Sequence, residues 1–562
     1  MKILILDSHS NAGMACIQSL GKAGYDIYTA SNLNSTLSQS SIYGKKFYSY
    51  PSPMKYKEEF IDFIVNLNRE HSFDYILPVT DNSIYPLMEV NDVDLARILI
   101  LPNKDSFESA FNKEKTLLLA KKLNIPVPLN TYVTSESFNV GDFANFPLFV
   151  KPVQSKGISK NGSFNLEPIL VDSTSQLEKS VKGFLKYTDV QIQQCVPGVG
   201  IGIEVLCRRG KIIRAFAHKR VHELPLTGGG SSYRKSIPMP RELYEYSERL
   251  MNSLDWHGVA MVEFKSENND HWLMEINGRF WGSLPLALHS GIDFPKLLID
   301  MLSGKRISDD YSYNEDLYVR NIIKDMDWFK LNFKADQNNP RLITHSVSKS
   351  VFELFRVFYL KEKWDHVYFN DKSVLINQLI LVVRGEISIA INKVRKKIIL
   401  SKMKRKNNKR IKVSKKILIL CYGNICRSPF VEYLLRYTLQ DSAYDIKSAG
   451  FHSSINRSSP EYYQHICNDF GISLDEHKSN LVDSELADWA DAIILMDYNN
   501  YELAKINFTP ANFDKCFFLG SFSSGLIEIL DPYGLNNKEI SGIVEGMQES
   551  TLAFARELQG QV

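Results

Sequence analysis

The segment CYGNICRSP (421–429) holds a cysteine and an arginine with five residues between them, Cys421 and Arg427. The apolar run KKILIL precedes it and FVEYLLRYTLQ follows it, which predicts a loop between a strand and a helix. Backbone N–H groups of such a loop and of the helix N-terminus can converge on one anion. The same field favours the thiolate form of Cys421. The pattern therefore predicts nucleophilic attack on a phosphoryl group.

Other side chains complete this candidate site. Arg427 can bind two phosphate oxygens at once, and Ser428 can donate a hydrogen bond to the leaving thiolate. Asn424 tolerates the left-handed backbone that a tight loop needs. In the segment DPYG, Asp531 can donate a proton to the leaving oxygen, and Tyr533 can form an aromatic wall. The predicted catalytic residues, which need no cofactor, are Cys421, Asn424, Arg427, Ser428 and Asp531.

A second set of residues carries carboxylates. MVEFK and WLMEINGRF read as two strands around the turn SENNDH, and a symmetric hairpin turning at Asn269 places Glu263 opposite Glu275. Asn277 lies two residues after Glu275 and shares its face of the strand. These three oxygen donors suit Mg²⁺ or Mn²⁺, which would bridge nucleotide phosphates. Arg279 continues the same face and could neutralise a transferred phosphoryl group.

Two lysines and a small loop add to this second site. Lys113 begins a predicted helix over Lys113–Lys122, and Lys151 ends the predicted strand FPLFVKP. The segment SKGISKNG (155–162), which contains Gly157, is predicted to be a small flexible loop. Two lysines beside a glycine-containing loop suit a polyphosphate.

The elements that position these residues are those of an α/β protein. Strand and helix patterns alternate over the first hundred residues, which predicts a parallel sheet. The pattern becomes mixed over 104–305, and a second α/β unit with a doubly wound parallel sheet of four strands begins near KILIL (416–420). The predicted divisions are an N-terminal α/β domain (1–103), a mixed domain (104–305), an extension of it (306–372), a helical and basic linker (373–414) and a C-terminal domain (415–562).

Composition limits the class of protein. The chain has 562 residues, 44% of them hydrophobic, which suits several globular domains. Its seven cysteines are odd in number and widely spaced, which favours a reducing compartment over a secreted disulfide framework. No apolar run approaches the about 20 residues of a membrane-spanning helix. We therefore expect a cytoplasmic protein.

The net charge of +3 conceals a local basic run. Residues 393–416 contain thirteen lysines or arginines and no acidic residue. Such a run is typical of a solvated linker, and we do not expect nucleic-acid binding. An anionic membrane surface is the alternative partner, because the preceding segment LINQLILVVRGEISIAINK could form an amphipathic helix. That interpretation places the protein at the inner membrane face.

Residues 415–562 resemble the low-molecular-weight protein tyrosine phosphatases. The similarity includes the loop described above and three later segments, SAG (448–450), GISLDEHKSNLV (471–482) and DAIILMDYNN (491–500). It implies hydrolysis of a phosphotyrosine protein or another phosphomonoester through a cysteinyl-phosphate intermediate.

Two relatives with this fold have other activities. Arsenate reductases use a closely spaced downstream cysteine pair, whereas Cys467 and Cys516 lie 49 positions apart in this chain. Phosphoarginine phosphatases carry threonine at the position of Ile425. The isoleucine of this chain resembles the phosphotyrosine type instead. Cys426 could form a reversible disulfide with Cys421 or simply pack in the core, and both roles stay open.

Residues 1–305 resemble the ATP-grasp superfamily, in particular its carboxylate–amine ligases and the carbamoyl-phosphate-synthase type. Lys113 and Lys151 match the two lysines that bind ATP phosphates in that family, and Glu263, Glu275 and Asn277 match its metal ligands. The resemblance implies ATP and Mg²⁺, an acyl phosphate formed on a small carboxylate, and its capture by an amine.

Other positions match this superfamily in part. QQCVPG (193–198) falls at the hinge that binds adenine, where Gln194 replaces a common glutamate and the backbone of Val196 would make the contact. Arg220 and LTGGGSSYR (226–234) match the substrate and phosphate region, and no residue matches the ribose-binding carboxylate.

Together these features predict a bifunctional enzyme, a phosphatase joined to an ATP-dependent ligase. The alternative is a tyrosine phosphatase gated by a non-catalytic ATP-binding sensor and docked to a membrane through the basic linker.

Overall fold

The computed structural model describes the chain except for residues 135–137, 144, 160–161, 340, 360, 367–370, 405–407, 441–442 and 561–562. Contacts divide it into two compact units, Met1–Val383 and Arg384–Val562, which are described in turn.

The chain begins with a parallel four-stranded sheet of order β3-β2-β1-β4. The predicted alternation of strands and helices is present, and the Ser10 side chain caps the first helix by accepting a hydrogen bond from the Gly13 N–H. Sequence patterns missed β3, because this edge strand is half polar and half exposed. The elements are β1 (Lys2–Ile5), α1 (Asn11–Lys22), β2 (Asp26–Ser31), β3 (Gly44–Ser49), α2 (Lys57–His71), β4 (Tyr75–Leu77), α3 (Asp81–Leu87) and α4 (Val93–Ile98).

A small antiparallel sheet of order β5-β10-β6-β9 follows. The loop predicted over 155–162 is instead largely a hairpin of β7 and β8, apart from Lys160 and Asn161, which lie outside the described residues. The elements are α5 (Lys104–Phe111), α6 (Lys113–Lys122), β5 (Asn130–Val133), β6 (Leu148–Pro152), β7 (Lys156–Ser159), β8 (Gly162–Asn165), β9 (Ile169–Val171), α7 (Thr174–Phe184) and β10 (Val190–Gln194).

A seven-stranded sheet of order β15-β14-β11-β12-β13-β16-β17 carries the carboxylate hairpin. Its last two strands come from the predicted extension (306–372), so that segment continues the sheet. The elements are β11 (Val199–Arg208), β12 (Lys211–Leu224), β13 (Gly230–Ser236), α8 (Arg241–Ser253), β14 (Gly258–Glu267), β15 (Asp270–Asn277), α9 (Leu284–His289), α10 (Phe294–Leu302), β16 (Tyr318–Arg320), α11 (Ile322–Lys334), α12 (Val347–Leu354) and β17 (Glu362–Trp364).

A long helix, α13 (Lys372–Lys404), includes the segment predicted to be helical. Apolar side chains recur on it every three or four positions and lie exposed: Ile376, Leu379, Ile380, Val383, Ile387, Ile391, Val394 and Ile398. We call this set the apolar stripe. Among the described residues, no helix combines the length and apolar character that crossing a bilayer needs. Part of the basic run, 405–407, lies outside the described residues.

The C-terminal unit contains the predicted parallel sheet, of order β19-β18-β20-β21. Every residue of β18 after Lys416 is buried, because helices cover both faces of the sheet. The elements are β18 (Lys416–Cys421), α14 (Arg427–Leu439), β19 (Asp445–Gly450), α15 (Glu461–Asp469), α16 (Ser484–Trp489), β20 (Ala492–Leu495), α17 (Tyr498–Asn507), α18 (Pro510–Phe513), β21 (Cys516–Phe518) and α19 (Asn537–Leu558).

Candidate active sites

The loop between β18 and α14 surrounds the sulfur of Cys421. Cys421 is the last residue of β18, and its Sγ accepts hydrogen bonds from the backbone N–H of Asn424 at 3.1 Å and from Ser428 Oγ at 3.0 Å. Helix α14 begins at Arg427, so its N-terminus lies at the same loop. Both donors favour negative charge on the sulfur, which is the form that attacks phosphorus.

Asn424 holds this loop in shape. Its φ of +49° is in the left-handed region, where asparagine is among the better tolerated residues. Its Nδ2 donates to Ser428 Oγ at 2.9 Å and to Ser448 Oγ at 2.8 Å, and its Oδ1 accepts from the Asn480 N–H at 2.7 Å. His477 Nε2 donates to the Asn424 carbonyl at 2.8 Å, and burial lowers the His477 pKa. Asn424 therefore has a positioning role in addition to its backbone conformation.

Arg427 is buried, and two of its three guanidinium nitrogens donate hydrogen bonds within the protein. Its NH1 donates to Asp497 at 2.5 Å and to the Ile529 carbonyl at 3.0 Å, while its NH2 donates to Asp531 at 2.8 Å. Its Nε is buried and has no hydrogen-bond partner among the described residues. Burial alone would lower the Arg427 pKa, but Cys421, Asp531 and Asp497 together raise it. The guanidinium is a permanent cation with a donor available to an oxyanion.

A pocket of about 280 Å³ opens above Cys421. Asp531 and Tyr533 line it, and Tyr533 is exposed as expected for a wall against a substrate ring. Arg457 adds a second cation and donates to the Gly423 carbonyl at 2.7 Å. The pocket residues are Cys421, Tyr422, Gly423, Ile425, Cys426, Arg427, His452, Arg457, Asp531 and Tyr533.

Cys426 also lines this pocket and is a reduced thiol in the structure. Burial, followed by the nearby Cys421 and Asp531, raises the Cys426 pKa above its usual range. The sulfur is therefore protonated, and its role in redox protection or packing stays a prediction.

The second site is built on the hairpin of β14 and β15. Glu263 pairs directly with Glu275, as predicted from a turn at Asn269. Near the turn, Glu267 pairs with Asp270, so the turn is centred between Asn268 and Asn269. Met274 is an extra, unpaired residue in β15, and this bulge brings Glu275 opposite Glu263. Asn277 Nδ2 donates to Glu263 Oε1 at 2.9 Å and to Glu275 Oε1 at 3.2 Å. The three predicted metal ligands are therefore neighbours on one face.

Charge distinguishes the two carboxylates. Burial raises the pKa of Glu263, although Arg220 opposes this shift by donating a hydrogen bond to its Oε2. For Glu275, burial is outweighed by Lys113 and Lys151, which lower its pKa. Two carboxylates and an amide are the hard donors that Mg²⁺ takes. For Asn277 to offer its oxygen to the ion, its amide would rotate by 180° and give up the bond that Oδ1 accepts from Arg279.

The two predicted phosphate lysines lie near Glu275. Lys113 Nζ donates to Ser155 Oγ at 2.7 Å, and Lys151 Nζ donates to Gln193 Oε1 at 2.6 Å. Burial lowers the pKa of Lys151 to about 8, against the opposing charge of Glu275. A pocket of about 180 Å³ brings several members of this site together: Asp81, Lys113, Ser155, Lys156, Glu275, Asn277 and Arg279.

Besides the bond from Arg220 to Glu263, Arg279 and Arg220 each contact an acid that the sequence analysis did not single out, Asp81 and Glu223 respectively. Arg279 Nε donates to Asp81 at 2.8 Å and its NH2 donates to Asn277 Oδ1 at 2.9 Å. Arg220 NH1 donates to the Gly229 carbonyl at 2.6 Å and lies 3.6 Å from Glu223. Asp81 is the first residue of α3, far from Arg279 in the chain, so no local pattern connects the two.

The remaining predicted residues lie apart from this pocket or serve packing. Gly157 is in β7, where a Cβ atom would lie 2.8 Å from the ring of Phe164, so packing explains the glycine. Gln194 is exposed. The carbonyl of Val196 accepts a hydrogen bond from Lys265 Nζ at 3.3 Å. Contact of Gln194 or Val196 with adenine stays a prediction.

Comparison with known proteins identifies the C-terminal unit. Residues 416–562 match the family described as low molecular weight phosphotyrosine protein phosphatase. Over 118 residues the chain is 33% identical to the probable low molecular weight protein-tyrosine-phosphatase AmsI of Erwinia amylovora, covering 21% of this chain and 78% of AmsI. The chain belongs to this phosphatase family.

Members of the low molecular weight phosphatase family differ in the phosphoamino acid that they act on. The chain is also 32% identical over 120 residues to the protein-arginine-phosphatase of Geobacillus stearothermophilus, covering 21% of this chain and 79% of that protein. Family membership therefore leaves the choice between phosphotyrosine and phosphoarginine open.

The phosphatase domain is joined to an ATP-grasp domain. Residues 186–324 match the family described as ATP-grasp in the biosynthetic pathway with Ter operon. The crystal structure of L-amino acid ligase from Bacillus licheniformis is 15% identical, with a TM-score of 0.41, and covers 53% of this chain and 73% of the ligase.

Proposed function

We propose that the chain is a bifunctional enzyme that hydrolyses protein phosphotyrosine and, separately, joins a small carboxylate to an amine at the expense of ATP. The arrangement around Cys421 supports the first activity most directly. Its sulfur accepts two hydrogen bonds, and the buried guanidinium of Arg427 keeps its Nε available among the described residues.

In the first step, the Cys421 thiolate attacks phosphorus and the bond to the tyrosine oxygen breaks. Asp531 donates its proton to that oxygen, while Arg427 and the loop N–H groups bind the phosphoryl oxygens. A water molecule then attacks the cysteinyl phosphate and gives its proton to Asp531. The S–P bond breaks, and Ser428 stabilises the returning thiolate at 3.0 Å.

Substrate binding must first separate Arg427 from Asp531, which are 2.8 Å apart. Bound phosphate takes the place of the Asp531 carboxylate on Arg427. The freed carboxylate takes up a proton from solvent and can then donate it to the leaving oxygen. Ile425 and Tyr533, both in the pocket wall, suit a flat tyrosine ring better than a charged guanidinium. This favours phosphotyrosine as the substrate.

Phosphate release from matched phosphotyrosine and phosphoarginine peptides tests this part. We expect turnover of the phosphotyrosine peptide by the native protein and none by Cys421→Ser. Preference for phosphoarginine would contradict the proposed substrate, and activity in the serine variant would contradict the nucleophile.

For the ligase, Glu263, Glu275 and Asn277 would hold Mg²⁺, which when bound offsets the negative charge of the ATP phosphates. Lys113 and Lys151 bind those phosphates as cations. A substrate carboxylate attacks the γ-phosphorus, ADP leaves, and an amine then displaces phosphate from the acyl phosphate. In this proposal Arg279, whose Nε donates to Asp81, exchanges its present contacts for the transferred phosphoryl group.

ADP release from Mg-ATP by the Cys421→Ser protein, over a panel of carboxylic acids and amines, tests the ligase. We expect release that depends on one acid–amine pair and is lost in Glu275→Gln. ATP binding without release from any pair would favour the sensor alternative, in which nucleotide binding gates the phosphatase.

A membrane-surface role for α13 is a second candidate, which would place the protein at the inner membrane face. The apolar stripe is exposed, and the basic run beginning at Lys393 overlaps its last residues, so the segment offers both apolar surface and positive charge to an anionic bilayer. We expect salt-sensitive binding to vesicles with anionic lipid and none to neutral vesicles. Replacement of four lysines by glutamine should abolish it: Lys393, Lys397, Lys402 and Lys404.

A further inference from the structure

A buried cluster of histidine and carboxylate side chains lies apart from the two candidate active sites. His222 is on β12, Glu353 is on α12, and His345 precedes α12. One potential ligand atom from each of the three residues lies within 4.8 Å of the other two. The side chains come from distant parts of the chain, so the tertiary fold brings them together.

One carboxylate is shared by both rings. Glu353 Oε2 lies 2.8 Å from His222 Nε2 and 3.1 Å from His345 Nδ1. Glu353 Oε1 is buried and has no hydrogen-bond partner within the part of the chain that the structure describes. Arg356 NH1 lies 4.0 Å from this oxygen, beyond hydrogen-bond distance. An unpartnered buried carboxylate oxygen is costly, so this atom points to a ligand.

The other ring nitrogen of His222, Nδ1, is held by a carboxylate, an arrangement common in metal centres. Its Nδ1 lies 2.8 Å from Asp325 Oδ1, which also accepts a hydrogen bond from Ser232 Oγ at 2.7 Å. A histidine that binds a metal commonly donates its other N–H to a carboxylate, which fixes the ring and the tautomer. Asp325 performs this function here and leaves the Nε2 lone pair of His222 for an ion.

The walls of the cluster are rigid. The His222 ring stacks on Trp328 with a centroid separation of 3.4 Å and an angle of 4°. The side chains of His222 and Glu353 are 0% and 1% exposed, whereas His345 is 12% exposed. His345 therefore provides both access from solvent and the freedom to close on an ion.

We propose that His222 Nε2, His345 Nδ1 and the Glu353 carboxylate bind one divalent transition-metal ion of the Zn²⁺ class, with water as the fourth ligand. Two imidazole nitrogens and one carboxylate favour Zn²⁺ or Co²⁺ over Mg²⁺. Tetrahedral binding requires ligand atoms roughly 3.3 Å apart, so the most separated atoms move inward. The ion ties α12 and its preceding segment to β12 and stabilises the extension (306–372).

The cluster has one other explanation. A doubly protonated His222 would donate to Asp325 and Glu353 without any ion. That arrangement satisfies His222 but leaves Glu353 Oε1 unpartnered, whereas an ion can take both carboxylate oxygens. The two explanations predict different behaviour with added metal.

Titration with Co²⁺ distinguishes them, because tetrahedral Co²⁺ absorbs visible light. The full chain carrying Cys421→Ser and Glu275→Gln would be used, so that neither active site contributes a strong ligand. We expect one Co²⁺ per chain, displacement by Zn²⁺, and a higher Tm with metal. All three effects should disappear in His345→Gln.

His271→Gln is the matched control, because His271 is 16% exposed and has one carboxylate nearby, Glu242 at 3.8 Å. It should leave Co²⁺ binding unchanged. His345→Cys should restore binding and add a thiolate charge-transfer band, which a merely structural role would not produce. Absence of the visible bands in the parent protein, or their persistence in His345→Gln, would overturn the proposal in favour of the ion-free network.

Discussion

The role of Arg427 could be predicted from its spacing to Cys421, but the distant residues that contact this loop could not. The loop residues from Cys421 to Ser428 are close in sequence, so their spacing alone predicted that they meet. Asp497 and His477 complete the geometry from distant segments. Those segments resembled the phosphatase family, but nothing in their local pattern assigned a role to either side chain.

Replacement of Asp531 by asparagine tests the proton donor. The variant keeps the shape of the side chain but cannot protonate the leaving oxygen, so kcat should fall by about 10²–10⁴-fold for phosphotyrosine. The loss should be small for aryl phosphates whose phenols are strong acids. Initial rates across a series of aryl phosphates measure this dependence, and an equal loss for every ester would exclude Asp531 as the acid.

The lowered pKa of Lys151 predicts pH-dependent ATP binding. Below its pKa of about 8 the ammonium is charged and attracts phosphate, and above it the charge is lost. The Kd for ATP should therefore rise by up to about tenfold per pH unit above 8. Calorimetric titrations between pH 7 and 9.5 measure it.

Lys151→Arg provides the comparison for this experiment, because arginine stays charged throughout that range. Its Kd should vary much less with pH. The same slope in both proteins would show that another group causes the dependence.

At the scale of elements, buried strands and long helices were predictable because their apolar periodicity is strong. α6 has the bounds, Lys113–Lys122, that its pattern indicated. The contribution of β16 and β17 to the seven-stranded sheet was not predictable, because short strands pair with residues far away in the chain. The bulge at Met274 also escaped the pattern, although it determines which carboxylates face each other.

The end of β19 supports the phosphate loop by close contact. A Cβ on Gly450 would lie 2.7 Å from the Tyr422 carbonyl and 2.9 Å from the Asn424 nitrogen. Gly450→Ala should displace the loop and lower kcat/KM by up to about 100-fold. Steady-state kinetics and thermal unfolding would be measured together.

Gly546→Ala is the control for this substitution. Gly546 lies in α19, and apart from the helix's own backbone no described atom lies within 4 Å of an added Cβ there. It should keep full activity and raise the free energy of unfolding by up to about 1 kcal/mol. Full activity of Gly450→Ala would show that the loop does not depend on this contact.

At the scale of the whole molecule, two compact units carry the two candidate sites. The division into an ATP-grasp domain and a phosphatase domain followed from separate motifs, each complete within its own part of the chain. The finer boundaries predicted near 305 and 372 stay predictions. A cut at 305 would remove β16 and expose the edge of β13.

Because the two sites share no residue, their inactivating variants should be independent. Glu275→Gln should abolish ADP release and leave kcat for phosphotyrosine within about twofold, since that carboxylate has no part in the phosphatase pocket. Both assays on each single variant and on the double variant with Cys421→Ser measure this. Loss of both activities from one substitution would reveal coupling between the units.

In the proposed mechanism, inorganic phosphate is the last product to leave the pocket. The Asp531 carboxylate competes with it for Arg427. Asp531 can return to Arg427 NH2 at 2.8 Å and neutralise the emptied pocket. Product therefore binds only to the fraction of molecules in which this pair is open, which weakens product inhibition. Phosphate that the proposed ligation releases into solution would then inhibit this phosphatase less than it would inhibit a pocket without the Asp531–Arg427 pair.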